Sequence, residues 1–206
     1  VALGVKGLDK VHFIPNPASF ATKHVSFLEK ENRIIFVGRL TFTQKRVDRL
    51  VSVIKQLHHN HLDWYFDILG DGIQREWMKE YLKKYNLSRV QFYGFKDPKP
   101  FLVKAKVLLL TSDFEGFGMV IPEAQAFGVV PVVTPCFSAV NKVVGEEAGV
   151  VLEDFEVETM VKEVEDLIVN PPRLKYLARN AIKNTENYSP VTIAAKWMAL
   201  INDKSC

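Results

Sequence analysis

Cysteine is scarce in this chain, with only Cys136 and Cys206 among 206 residues. The two have no metal-ligand spacing, and a core of this length needs no disulfide staples, so a reducing compartment is expected. Long hydrophobic runs are missing as well. The longest, Val107–Leu110 and Val129–Val133, fall far short of the roughly 18 apolar residues of a membrane span. Glycine and proline, at 11 and 10 residues, are too few for a collagen-like or low-complexity chain. A content of 48% hydrophobic and 25% charged residues excludes wholesale disorder. No charge of one sign dominates, and a net +3 is too small to suggest a nucleic-acid partner. The opening Val1-Ala2-Leu3-Gly4 is neither a signal peptide nor an initiator methionine, and the chain reads as a piece of a longer one.

The small charge excess is unevenly placed. Residues 1–60 hold ten Lys/Arg and four Asp/Glu, whereas residues 61–206 hold seventeen and twenty. The basic stretch is either a solvated face or the seat of a small anionic ligand.

Short β-branched runs alternate with longer segments of helical spacing. Arg33–Val37, Trp64–Leu69, Val90–Tyr93, Val107–Leu110, Val129–Thr134 and Gly149–Leu152 read as six strands. Val47, Leu50, Val51, Ile54 and Leu57 form one apolar helix face, and Ile73, Trp77, Tyr81 and Tyr85 the next. Met119–Phe127 is a third helix, stopped by Gly128, and the end of the chain is helical, with starts at Asn170-Pro171-Pro172 and Ser189-Pro190. The alternation predicts an α/β domain, a Rossmann-like parallel six-stranded sheet with helices on both faces. Residues 1–30 stand outside the rhythm and read as a linker and the remnant of a missing domain. Residues 31–188 form the α/β domain and residues 189–206 a terminal helix.

Ligands of an open parallel sheet sit beyond the carboxyl ends of its strands, and several ends here carry unusual residues. After the first strand come Gly38-Arg39 and then Lys45, two cations beside a helix start that suit a diphosphate or else form a solvated basic loop. After the second comes Gly70-Asp71-Gly72, with Asp71 better read as a turn former than as an acid. After the fourth comes Asp113-Phe114-Glu115-Gly116-Phe117-Gly118-Met119-Val120, with Glu123 about one turn into the next helix. Glycines 116 and 118 would let a ligand approach the backbone. The two glutamates either accept hydrogen bonds from sugar or ribose hydroxyls or are a cap and a solvated helix residue.

In this order and spacing the chain resembles the nucleotide-sugar-binding domain of glycosyltransferase family 4, retaining enzymes of the GT-B fold. The most specific part is the glutamate pair set in Gly116-Phe117-Gly118 and Glu123-Ala124-Gln125-Ala126-Phe127-Gly128. The resemblance covers about residues 12–202. It implies that Arg39 and Lys45 hold the donor diphosphate and that Glu115 contacts the transferred sugar. Glu123 would bind the ribose, while amides of Gly118, Met119 and Val120 meet the distal phosphate or sugar. The loop Tyr93-Gly94-Phe95 would face the base. The expected donor is a uridine diphosphate sugar, no metal or other cofactor is expected, and the acceptor, a glycan or lipid-linked hydroxyl, belongs to an absent N-terminal domain. A cytoplasmic location is expected, with peripheral contact to the inner membrane face allowed for the full-length protein.

The chain departs from the family's pattern in two places: Arg46 follows the lysine where glycine is frequent, and Cys136–Lys142 replaces a Gly-Gly-x-Pro-Glu loop. A non-catalytic nucleotide-binding module and a glycosidase using Glu115 and Glu123 are the alternative readings. His58-His59-Asn60-His61 reads as a solvated turn, Cys136 as no nucleophile, and Trp64, Trp77 and Trp197 as core residues.

Overall fold

Six short runs, most of them rich in Val, Ile and Leu, pair as an entirely parallel sheet. The computed structural model describes residues 12–18 and 26–202. The strands are β1 (Arg33–Val37), β2 (Tyr65–Leu69), β3 (Val90–Gly94), β4 (Val107–Leu110), β5 (Val130–Val133) and β6 (Val150–Val151). Their order is β3-β2-β1-β4-β5-β6, with every neighbouring pair parallel. All four residues of β4 and of β5 are buried, as expected of central strands covered on both faces.

The helices follow from the period of the intervening segments. They are α1 (Val47–Asn60), α2 (Arg75–Lys84), α3 (Lys99–Leu102), α4 (Val120–Gln125), α5 (Val140–Val144), α6 (Val157–Val169), α7 (Pro171–Asn184) and α8 (Pro190–Asn202). Ile34, Phe36, Phe66, Ile68, Val107 and Leu109 face α1, α2 and α6. Ile35, Leu108 and Leu110 alternate to the other face, under α3, α4 and α5. Each such fully buried side chain contributes about 1.5–3 kcal/mol relative to exposure. Asn170 caps α7 by accepting from Arg173 N at 3.2 Å, and Ser189 Oγ accepts from Thr192 N at 3.1 Å at the start of α8.

The expected six strands and two helical layers are therefore present, with corrections in detail. On α2 the residues that reach the core are Met78 and Leu82, one position on from the expected stripe. Ile73 lies before the helix and is 87% exposed. Trp77 is not a core residue. It sits in an aromatic ladder between Phe42 and Tyr81, at centroid distances of 4.7 and 5.4 Å, which covers the flank of the helix and leaves its aliphatic neighbours to fill the interior. Trp64 is buried, but Trp197 is half exposed, because α8 buries only Ile193. His58 is no part of a solvated turn. It is the buried end of α1, where its carbonyl accepts from Arg89 Nη2 and its ring is held by Arg89 N.

Ile14-Pro15-Asn16-Pro17 has no regular structure, and Ala18 N donates to Tyr188 O at 2.8 Å. Residues 1–11, among them the four chain-opening residues, residues 19–25 and residues 203–206, among them Cys206, lie outside the described residues.

Chain order reverses at β1, whose neighbours are β2 and β4. The crevice at such a switch point is where ligands of open α/β sheets bind. The loops after β1, β2 and β3 are laced there by backbone bonds: Gly38 N to Leu69 O at 3.0 Å, Leu40 N to Asp71 O at 2.9 Å and Gly70 N to Gly94 O at 2.8 Å. Gly70 makes the lacing possible. Its φ is +124°, and an added Cβ would stand 1.9 Å from Gly38 O.

Gly70→Ala is thus expected to cost more than about 3 kcal/mol, combining a strained φ with an unrelieved backbone clash. Gly94→Ala, at φ +66° with nothing within 4 Å of the new Cβ, is expected to cost only about 1–2 kcal/mol. Urea unfolding of the two variants measures the difference, and equal losses would show that the loop lacing is not rigid.

Candidate functional site

At the carboxyl edge, beside the switch point, lies a cleft of about 550 Å³. The end of β1 contributes Gly38, Arg39, Gln44 and Lys45, the end of β2 Gly70, Asp71 and Gly72, and the end of β3 Phe95 and Lys96. Phe95 is 91% exposed. Asp71 accepts from Gly72 N at 2.8 Å and from Arg75 at 3.0 Å, so it is occupied as a turn former. The side chains of Arg39 and Lys96 have no hydrogen bond or ion pair to any described residue. Two unpaired cations, an exposed aromatic ring and glycine-lined walls make a place for an anion joined to a flat ring.

Lys45 behaves differently. Its Nζ meets Glu115 Oε1 at 2.5 Å, and the two side chains are only 12% and 10% exposed. Ser112 Oγ donates to the same carboxylate oxygen at 2.7 Å, and Glu115 N donates to Cys136 O at 3.0 Å. The pair spans the gap between the loops that follow β1 and β4. Residues 45 and 115 are thereby brought together across 70 positions of sequence.

The other expected site residues are dispersed around this centre. Glu123 lies in the first turn of α4, half-buried, and burial raises its carboxyl pKa while Lys99 draws it partly back. Gly116 is exposed, and a Cβ there would touch nothing within 4 Å. Gly118, at φ +68°, is packed under Ile121 and Phe137. The ring of Phe117 stacks toward Phe13 and Tyr188. Met119 and Val120 pack against the aliphatic clusters behind the edge. Tyr93 lies along the sheet face, against Phe101 at 4.4 Å. The carbonyl of Gly94 is taken by Gly70. From the third loop, then, Phe95 is the expected residue that lines the cleft.

Sequence reasoning passed over Gln44, Lys96 and Ser112. Lys96 carries a readable signal, since it stands two residues past the glycine that ends β3, much as Arg39 follows the glycine after β1. A second cleft of about 560 Å³ lies beyond α1 and is lined by Arg46, Arg49, Lys55 and Phe155 among others. Its cations are already matched. Arg46 and Arg49 both bind Asp113, and Lys55 lies 3.7 Å over the Tyr85 ring. Among the described residues no three His, Cys, Asp or Glu side chains converge as a metal site, and no helix is long and apolar enough to cross a membrane.

Cys136 is buried next to this centre. Burial pushes its thiol up to about 11, and the Glu115 carboxylate adds to the effect. At pH 8 it is therefore almost wholly protonated. In a Cys206→Ser background, its reaction with a disulfide-exchange reagent at pH 8 is expected to be on the order of 100-fold slower in the folded than in the urea-unfolded chain. Equal rates would mean that the thiol is open and ionised.

Comparison with known proteins fits this geometry. Residues 20–184 match the family described as glycosyl transferases, group 1. The chain belongs to that family. It is 29% identical over 178 residues to the amylovoran biosynthesis glycosyltransferase AmsD of Erwinia amylovora, covering 85% of this chain and 50% of that protein. In three dimensions it is similar to the apo form of the lipopolysaccharide outer core galactosyltransferase WaaB, with a TM-score of 0.81 and 24% identity, over 98% of this chain and 57% of that one. It is also similar to Anabaena Alr3699/HepE solved with UDP and glucose, with a TM-score of 0.72 and 20% identity, over 84% and 49% of the two chains. The chain spans about half the length of the curated relatives it matches.

Proposed function

We propose that this group 1 glycosyl transferase domain is the donor-binding half of a retaining, family 4-type enzyme. It transfers a sugar from a uridine diphosphate sugar to a hydroxyl of a glycan or lipid-linked acceptor. The observation that carries the reading is the cleft at the switch point, where Arg39 and Lys96 stand unpaired beside Lys45. The diphosphate occupies that cationic edge, with the base toward Phe95. Glu115 turns to hydroxyls of the sugar and Glu123 to the ribose.

In a front-face displacement the bond from the anomeric carbon to the diphosphate oxygen breaks, and a bond to the acceptor oxygen forms on the same face. The acceptor's proton passes to the departing diphosphate oxygen. Arg39 and Lys45 offset the charge that grows there, and because that charge is largest in the transition state their effect falls mainly on the rate. Two cations on one edge fill the role a divalent metal would have, which supports a metal-independent reaction. The acceptor pocket and the exclusion of water belong to the absent N-terminal half. The exposed apolar residues Val191, Trp197, Met198 and Ile201 of α8 suit a helix that crosses back to that half. The reaction takes place on the cytoplasmic side, where the full-length protein can rest on the membrane that holds a lipid-linked acceptor.

A glycosidase would need both glutamates to face one glycosidic bond. Glu115 is instead turned to Lys45, and the charged neighbour of Glu123 is Lys99.

Calorimetric titration separates the roles. The 206-residue protein is expected to bind UDP weakly and to transfer no sugar alone. Lys45→Ala should weaken UDP and UDP-sugar alike, by about 1.5–3 kcal/mol before solvent screening in an open half-cleft reduces it. Glu115→Ala should leave UDP binding at least as tight, because it removes the carboxylate that already holds Lys45, and should lower the preference for the sugar-bearing ligand. Failure to bind any nucleoside diphosphate would reject the reading. Sustained transfer to a glycan by the isolated chain would reject the need for a second half.

A further inference from the structure

Beside the Lys45–Glu115 pair runs a second ionic link that the reaction scheme does not use. Arg46, the next residue, begins α1 in the left-handed region, with φ 48° and ψ 55°. For a side-chain-bearing residue that conformation is unfavourable. Its guanidinium spans two carboxylates: Nη2 reaches Asp48 at 2.7 Å, and Nη1 reaches Asp113 at 3.0 Å. Asp113 is also held by Arg49 and lies two residues before Glu115.

Backbone bonds run in the same direction. Asp113 N donates to Gln44 O at 2.9 Å, and Thr111 Oγ1 donates to Lys45 O at 2.8 Å. Residues 44–46 and 111–115 are thus joined by this backbone seam and by two ion pairs, Lys45–Glu115 and Arg46–Asp113. On the proposed donor site the two pairs would face different fates when a donor binds. Lys45 would be required by the diphosphate and Glu115 by the sugar, so their mutual contact would open. The Arg46–Asp113 contact would involve neither ligand and would stay.

We propose that Arg46 is a positioning residue. Through Asp113 it fixes the loop bearing Glu115 when Lys45 is taken by the diphosphate, so that Glu115 remains within reach of the sugar hydroxyls. A backbone strained by a non-glycine residue is kept because the side chain does this holding. The inference rests on the proposed donor site and deepens it.

Arg46→Gly is the informative substitution, since glycine suits the observed φ and the variant is expected to fold with its melting temperature preserved or raised. Wild type, Arg46→Gly, Arg46→Lys, Asp113→Asn and Glu115→Ala are titrated with UDP and with UDP-glucose, UDP-galactose and UDP-N-acetylglucosamine. The readout is the affinity ratio of the best-bound UDP-sugar to UDP. Arg46→Gly and Asp113→Asn are expected to lower that ratio about 3- to 10-fold, approaching Glu115→Ala, while UDP itself changes less than about 2-fold. Arg46→Lys, which can still reach Asp113 with one charge, is expected to recover at least half of the loss on a logarithmic scale. A ratio unchanged in Arg46→Gly, alongside a lowered one in Glu115→Ala, would overturn the inference and leave the donor site standing, with Arg46 only a helix-start residue. A wild type that binds none of the four ligands, or a ratio unaffected by Glu115→Ala, would overturn the donor-site reading and the inference with it.

Discussion

Everything at this site depends on β1 and β4 lying side by side in a parallel sheet. Parallel pairing places every strand's carboxyl end on one edge, and the reversal of strand order at β1 opens the edge there. The loops that leave β1 and β4 must run in opposite directions to reach α1 and α4. Their first residues nevertheless start next to each other. Lys45 and Glu115 can therefore meet although 70 positions separate them. The glycines of the neighbouring loops serve the same constraint, because β2 can carry its turn under the β1 loop only where no Cβ intervenes.

The ion pair that forms there answers an electrostatic problem. A lysine only 12% exposed and a glutamate only 10% exposed would each be costly alone, by several kcal/mol for a fully buried ion, and together they offset most of that cost. Ser112 supplies a further hydrogen bond to the carboxylate. Arg39 and Lys96, at the open mouth, remain hydrated and need no partner. The cleft thus divides its cations into two kinds: solvated ones that attract an anion from a distance, and a desolvated one already satisfied from within.

The sheet was legible in the sequence because buried parallel strands are short aliphatic runs closed by turn residues, and the six runs have no competing pattern. The face of α2 was not. Ile73, Trp77, Tyr81 and Tyr85 keep a clean i, i+4 spacing, yet the smaller Met78 and Leu82 fill the interior, and the rings line up outside it. Periodicity measures which residues share a face, not which face fits the space beneath it. The site was half legible for a similar reason. Strand-end glycines and nearby cations announce themselves locally, as Gly38-Arg39 and Lys45 do. The Arg46–Asp113 contact does not, since a charge run in a loop looks like solvated surface until the fold brings its partner across the sheet edge.

On the proposed donor site, the placement of Lys45 also gives a reason for the whole donor to be recognised better than its nucleotide. UDP alone would take Lys45 only by parting it from Glu115, leaving a poorly exposed carboxylate with Ser112 as its remaining side-chain donor. A sugar attached to the diphosphate would bring hydroxyl groups to the place from which Lys45 was withdrawn. The carboxylate would then exchange one donor for others instead of losing one, and the cost of opening the pair would fall. On that proposal discrimination would arise from the penalty of an unsatisfied buried acceptor, not from added attraction. It would require that Glu115 hold its position at the moment of exchange, which is a property of the loop's other anchors and not of the carboxylate itself.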